Sequence, residues 1–266
     1  GLSCFDHPFG GLYGDELLIQ VSYRELLEAG THFGHRISRW NPSMRPYIFG
    51  KRNGIHIIDV RETLKGLIRA SHAALKMSAG GGDIIFVGTK RQSRALVESQ
   101  AKRCGMPYVV DRWLGGTLTN FETIRRRVKR LDEIEASELD GSMRQYSKKI
   151  VSAMMREKRK MIRNLQGLRA MTGLPAGIIV IDPKREDNCV REAQRLGVVT
   201  IALLDTDCDP DEVDFPVPGN DDGIKSIEIF LRVMADAALE GRRLSGREAA
   251  LGTEVAAMEA AAVARM

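Results

Sequence analysis

The sequence places Gly88, Thr89, Lys90 and Arg91 directly after the apolar run Ile84 to Val87, with Arg94 three residues further on. A strand, a glycine turn, cations and a helix start form an arrangement that can hold phosphate. The first N–H groups of a helix lack intrahelical partners and sit at the positive end of its dipole. The spacing is not G-x-x-x-x-G-K-[ST], and no G-x-G-x-x-G follows the strand, so neither nucleotide signature is present. The turn suits a phosphate of any origin, a nucleic-acid backbone included. It equally fits an ordinary strand-to-helix connection with solvated cations.

A second stretch, "HRISRWNPSMRPYIFGKR" (35–52), carries Arg36, Arg39, Arg45, Lys51 and Arg52 with no acid among them, and Trp40, Tyr47 and Phe49 interleaved. Pro42 and Pro46 forbid a continuous helix, so an extended strap is expected. Cations on an irregular strap neutralise phosphates and rings stack splayed bases, which suits RNA. The rings also serve to pin the strap, so rings inward and cations outward is the expected arrangement. A third stretch, "DRWLGGTLTNFETIRRRVKR" (111–130), joins a strand to a helix. Gly115 and Gly116 permit close backbone approach. Arg112, Trp113, Thr117 and Asn120 surround them, and Arg125, Arg126, Arg127, Lys129 and Arg130 follow, with Asp111 and Glu122 the acids before them. Arg156, Lys158, Arg159, Lys160 and Arg163 form a matching cluster further on. A solvated helix face would mix in more acids.

The stretch 203–222 has the opposite sign, with eight acids and no base. Asp205, Asp207 and Asp209 follow a strand end, where open α/β sheets place ligands. Turn-building by Asp and Pro is the preferred reading, with weak magnesium binding as a minor option. His32 and His35 lack a second pair at a ligating spacing, and Gly-x-Ser-x-Gly and H-E-x-x-H are both absent. The four cysteines, Cys4, Cys104, Cys189 and Cys208, are far apart, so neither a zinc motif nor a disulfide framework is signalled.

These residues need elements to position them. Ile- and Val-rich runs at 55–59, 83–88, 108–111, 177–182 and 198–205 are near-continuous rather than alternating, as expected of strands covered on both faces. Helical segments at about 60–79, 91–104, 186–196 and 224–240 separate them, so βαβ units and a mostly parallel sheet are expected. Between 111 and 177 the strands stop. Leu118, Phe121, Ile124, Val128, Leu131 and Ile134 step by three or four, and Met154, Met161 and Leu168 recur every seven, with Val151 and Leu165 alongside. A turn around Asp140-Gly141 makes this an antiparallel coiled-coil hairpin, about 117–172, protruding from the α/β body. Two core helices of a larger domain is the alternative. Residues 118–170 carry fourteen Lys and Arg against seven Asp and Glu, whereas the whole chain of 266 residues is only +5, so this segment carries the basicity. No apolar run approaches membrane-spanning length, about 18 residues. Residues 1–21 form an atypical extension without the basic start of a secretory signal, and 244–266 form an Ala-rich tail.

Five collinear stretches, "LLEAGTHFGHRISRWNPSMRPYIFGKRNGIHIID", "FVGTKRQ", "RWLGGTLTNF", "GLPAGIIVID" and "DTDCDPDEVDFPVPGNDD", resemble the bacterial small-subunit ribosomal protein S-two family over about residues 22–243. The resemblance implies a Rossmann-like or flavodoxin-like parallel sheet flanked by helices, with a coiled-coil hairpin insertion. It implies a structural role in the cytoplasmic small ribosomal subunit, with small-subunit rRNA and neighbouring ribosomal proteins, the mRNA-binding S-one among them, as partners. It implies no catalysis, small-molecule substrate, cofactor or membrane. Its rRNA-contacting regions correspond to Arg36–Arg52, Gly88–Arg91 and Trp113–Asn120. Some members have been linked with zinc, for which this sequence offers no convincing ligand set. The rival readings are a magnesium-dependent enzyme using Lys90, Asp205 and Asp207, and a protein-interaction module built on the hairpin.

Overall fold

The computed structural model describes residues 21–246; the expectations for the N-terminal extension and most of the Ala-rich tail fall outside them. Five strands build the central sheet: β4 (Ile84–Val87), β5 (Tyr108–Val109), β6 (Gly177–Ile181), β7 (Val199–Leu204) and β8 (Phe215–Pro218). All neighbours are parallel and their order is β5-β4-β6-β7-β8. This is the 2-1-3-4-5 order of flavodoxin-like sheets, in which the winding reverses between the first and third strands, here β4 and β6. Every residue of β4 and β6 is buried, which explains why these runs lack polar alternation.

Helices cover both faces. α2 (Val60–Ala79), α3 (Arg94–Cys104) and α7 (Ile224–Leu244) pack on the face carrying Ile84, Phe86, Ile179, Ile181, Ile201 and Leu203. The alternate residues Ile85, Val87, Ile178, Val180, Ala202 and Leu204 face α6 (Asp187–Leu196) and the base of the hairpin. Each strand thus feeds two separate cores, because consecutive side chains leave opposite faces.

Two strands depart from the expected pattern. The run at 55–59 was expected in the parallel sheet. It is β3 (Ile55–Ile58) of a separate antiparallel sheet with β1 (Phe33–Arg36) and β2 (Ile48–Arg52), in the order β1-β3-β2. β2 and β3 are joined through Asn53 and Gly54, both at positive φ (51° and 76°), as a two-residue hairpin loop requires. β8 contains Pro216 and Pro218 and was not recognised as a strand. It pairs only with β7, and an edge strand tolerates a missing ladder donor.

The insertion contains α4 (Phe121–Leu139) and α5 (Lys148–Leu165), linked by a 3-10 turn at Ser142–Gln145. Ile124, Leu131 and Ile134 of α4 and Met161 and Leu165 of α5 are buried in one apolar cluster, against which Phe121, Val128, Val151 and Met154 of the expected stripes are partly buried. This seam runs on into the sheet face that carries Ile85 and Val87. Lys158 pairs across to Glu135 and Glu138, and Arg169 to Asp132 and Glu135. The root is held tightly: a Cβ on Gly167 would stand 2.2 Å from the Tyr108 carbonyl oxygen of β5. A short helix α1 (Tyr23–Glu28) completes the described chain.

Candidate nucleic-acid interface

The turn after β4 does not present its lysine to the outside. Lys90 is buried, with Nζ 2.9 Å from Asp182, 2.8 Å from Asp221 and 3.0 Å from Asp222. Burial acts against the ammonium, but the Asp221 and Asp182 carboxylates outweigh it and push its pKa up. Thr89 is buried as well; its hydroxyl donates to Glu186 and accepts from Arg185 Nε. Lys90 follows β4 and Asp182 follows β6, so this ion pair closes the crevice where doubly wound sheets receive nucleotides. Of the expected phosphate contacts here, Arg91 is exposed. Arg94 is exposed but pairs with Asp111 at 2.9 Å. The side-chain polar atoms of Lys90 and Thr89 are engaged by the protein's own groups.

His35 belongs to the same cluster. Its Nδ1 lies 2.8 Å from Asp205, and its backbone N–H donates to Asp205 and to the Thr206 hydroxyl. The hydrogen bond with Asp205, working against burial, raises the imidazole pKa to about 9. Asp221 is fully buried; one oxygen touches the Lys90 ammonium and Oδ2 has no hydrogen-bond partner. Burial, and then the charges of Asp205 and Asp182, raise its carboxyl pKa to about 7. Sequence spacing did not reveal this constellation, because His35 meets Asp205 across 170 positions. Of the acids expected to build turns at 203–222, Asp205 and Asp221 are buried here.

Donor atoms of His35, Asp205 and Asp221 lie within 4.8 Å of one another, as do those of Asp182, Cys208 and Asp221. The set fits zinc poorly. Lys90 already sits as the counter-cation, and burial pushes the Cys208 thiol up, away from the thiolate a metal requires. We assign no metal to it.

The strap is more ordered than expected. Met44, at 0% exposure, anchors it, Asn41 caps a 3-10 turn at Pro42–Tyr47, and the Asn41 N–H donates to the Thr206 carbonyl. Only Tyr47 of the three rings turns inward. Trp40 is 37% and Phe49 71% exposed. Arg36, Arg39, Arg45, Lys51 and Arg52 are all exposed, and no carboxylate pairs with them among the described residues.

At the hairpin root Trp113 is buried and its Nε1–H donates to Glu192 of α6. The same carboxylate accepts from the backbone N–H groups of Gly116 (2.8 Å), Leu118 (2.9 Å) and Thr119 (3.1 Å) and from the Thr119 hydroxyl. Burial alone would raise the Glu192 pKa; these N–H donors overturn it and hold it low. Trp113 and Thr117 are therefore part of the framework, while Arg112, Gly115 and Asn120 remain exposed. Glu192 was missed in the sequence because nothing near it marks a partner more than seventy residues away. Glu192→Ala strands these donors and should cost about 3 kcal/mol or more. Limited proteolysis should then cut the Trp113–Thr119 loop faster than in the unaltered protein; an unchanged cleavage pattern and melting temperature would remove Glu192 from this role.

On the hairpin, Arg125, Arg126, Arg127, Lys129, Arg156, Arg159, Lys160 and Arg163 are exposed without a carboxylate partner among the described residues. Arg130 pairs with Glu133 and Lys158 with Glu135 and Glu138, so these two are partly neutralised. No helix among the described residues is long and apolar enough to cross a membrane.

Comparison with known proteins agrees with the geometry. Residues 26–241 match the family model described as ribosomal protein S2. The chain is 56% identical over 233 residues to small ribosomal subunit protein uS2 of Rhodopirellula baltica, covering 88% of this chain and 90% of that protein. It is 49% identical over 225 residues to uS2 of Lawsonia intracellularis, covering 84% and 77%, and 49% over 235 residues to uS2 of Acidothermus cellulolyticus, covering 88% and 85%.

Proposed function

The chain belongs to the ribosomal protein S2 family, and from that premise we propose that it is a structural protein of the small ribosomal subunit that binds rRNA in the cytoplasm. The observation that carries this reading is the set of unpaired, exposed cations on the hairpin, with a second set on the strap. Exposed Lys and Arg that no carboxylate neutralises release counterions from a folded RNA when they meet its phosphates. The proposed contacts are Arg36, Arg39, Trp40, Arg45, Lys51 and Arg52 on the strap, Arg91 beyond β4, Arg112, Gly115 and Asn120 at the root, and Arg125, Arg126, Arg127, Lys129, Arg156, Arg159, Lys160 and Arg163 on the hairpin. Arg94, Arg130 and Lys158 reach RNA only by giving up an ion pair. Recognition follows shape and phosphate position, since A-form RNA hides its base edges.

The proposal assigns no reaction. What favours this over a magnesium-dependent enzyme is the filled crevice, where Lys90 and Asp182 neutralise each other. Docking of the mRNA-binding ribosomal protein S-one is a further part of the proposal, supported by family membership. Sedimentation tests the whole: the protein should travel with small subunits at moderate salt and leave them as salt rises. A protein that stays at the top of the gradient at low salt would defeat the reading.

A further inference from the structure

One face of α4 and the chain leaving α5 border a groove of about 510 Å³. That volume falls within the range of small-ligand sites, about 300–1,000 Å³. Phe121 and Val128, half-buried, and Met171, buried, give it an apolar lining, and the exposed Arg125, Arg126 and Lys129 stand along it. Phe121, Arg125, Val128 and Lys129 share this face because helix positions three and four apart are neighbours. Of the two acids at the groove, Asp132 is engaged by Arg169 at 3.0 Å, whereas the three cations pair with no carboxylate among the described residues. An occupant must therefore be apolar and flat enough to lie on a ring, and carry negative charge beside that surface. A stacked duplex cannot offer this, since its bases are covered; an unpaired nucleotide can, with its base exposed and phosphates on both sides.

We propose that this groove takes one unpaired nucleotide of RNA, its base against Phe121 and Val128 and its flanking phosphates on Arg125, Arg126 and Lys129. The inference rests on the rRNA-binding reading and adds to it a site for a single extruded base. The full chain is titrated with two RNA hairpins carrying the same number of phosphates, one fully paired in its stem and one with a single unpaired adenosine. The unpaired RNA should bind about tenfold more tightly, the worth of one stacked base. Phe121→Leu keeps the packing but removes the ring, and should erase that preference while leaving duplex binding intact. Phe121→Tyr should retain it. Equal affinity of the unaltered chain for both RNAs would overturn base capture and leave rRNA binding standing. A preference that survives Phe121→Leu would overturn the assignment to this groove. Failure to bind either RNA would overturn the rRNA reading itself. Binding of an acidic amphipathic peptide in place of both would make the groove a protein site, and the proposal would fall.

Discussion

Replacing Arg125, Arg126 and Arg127 together by Glu should abolish incorporation of the protein into small subunits. The exchange reverses three charges on a face that no internal carboxylate neutralises. Affinity for rRNA at low salt should fall at least about a thousandfold, and the slope of log affinity against log salt should flatten by about 2 to 3. The fold should not suffer. All three side chains are exposed, Arg and Glu have similar helix propensity, and the sites lie in the first two turns of α4, near the positive end of its dipole. Melting temperature and circular dichroism should match the parent, so lost binding reads as lost contact. A triple variant that assembles normally would remove the hairpin from the interface and leave the strap as its main support.

Lys90→Met should give the reverse pattern, a large loss of stability with no direct loss of an RNA contact. The substitution keeps most of the length of the side chain and deletes the counter-cation of Asp182 and Asp221, both buried. Breaking a buried pair from one side costs about 3–5 kcal/mol. For a domain of this size that is a fall in melting temperature of about 6–20 °C. Acid should restore part of it. Asp221 already has a carboxyl pKa near 7 instead of the ordinary 3.8, so the folded state prefers it protonated, and the stability this provides is lost as pH rises toward 7. Without Lys90 that preference strengthens, so the gap between variant and parent should narrow between pH 7 and pH 5. In the parent itself, His35 is raised from 6.5 to about 9 by its bond with Asp205. Its stabilisation is complete below 6.5 and is lost as pH rises through about 9, so thermal melts at pH 7.5 and 9.5 should differ, and His35→Gln should shrink that difference. If Lys90→Met melted like the parent but bound rRNA weakly, the lysine would be an RNA ligand and the buried network would need redrawing.

The contrast between these two variants shows where sequence reading succeeded. Cations clustered in the first half of α4, ahead of most of its acids, were legible as a free basic face, because a helix fixes the neighbours of an exposed side chain locally. Lys90 looked the same in sequence. Its partners come from the ends of β6 and β8, 92 or more positions later, and only the parallel pairing of β4 with β6 brings them together. Glu192 was invisible for the same reason, and so was the pairing of His35 with Asp205. β8 was hidden by two prolines that a central strand would reject. The exposure of Trp40 and Phe49 was not legible either, since burial along an irregular strap is set by the surfaces it meets in three dimensions.

By itself, then, the amino-acid order determined the strand–helix alternation, the two apolar stripes of the insertion and the concentration of positive charge on it. Periodicity and composition are local properties, and local hydrogen bonding and solvation act on them directly. Tertiary structure alone decided which of the cations remain free. A charge is silenced by whatever carboxylate lies within a few ångströms, and at the ends of parallel strands those neighbours are set by the winding of the sheet.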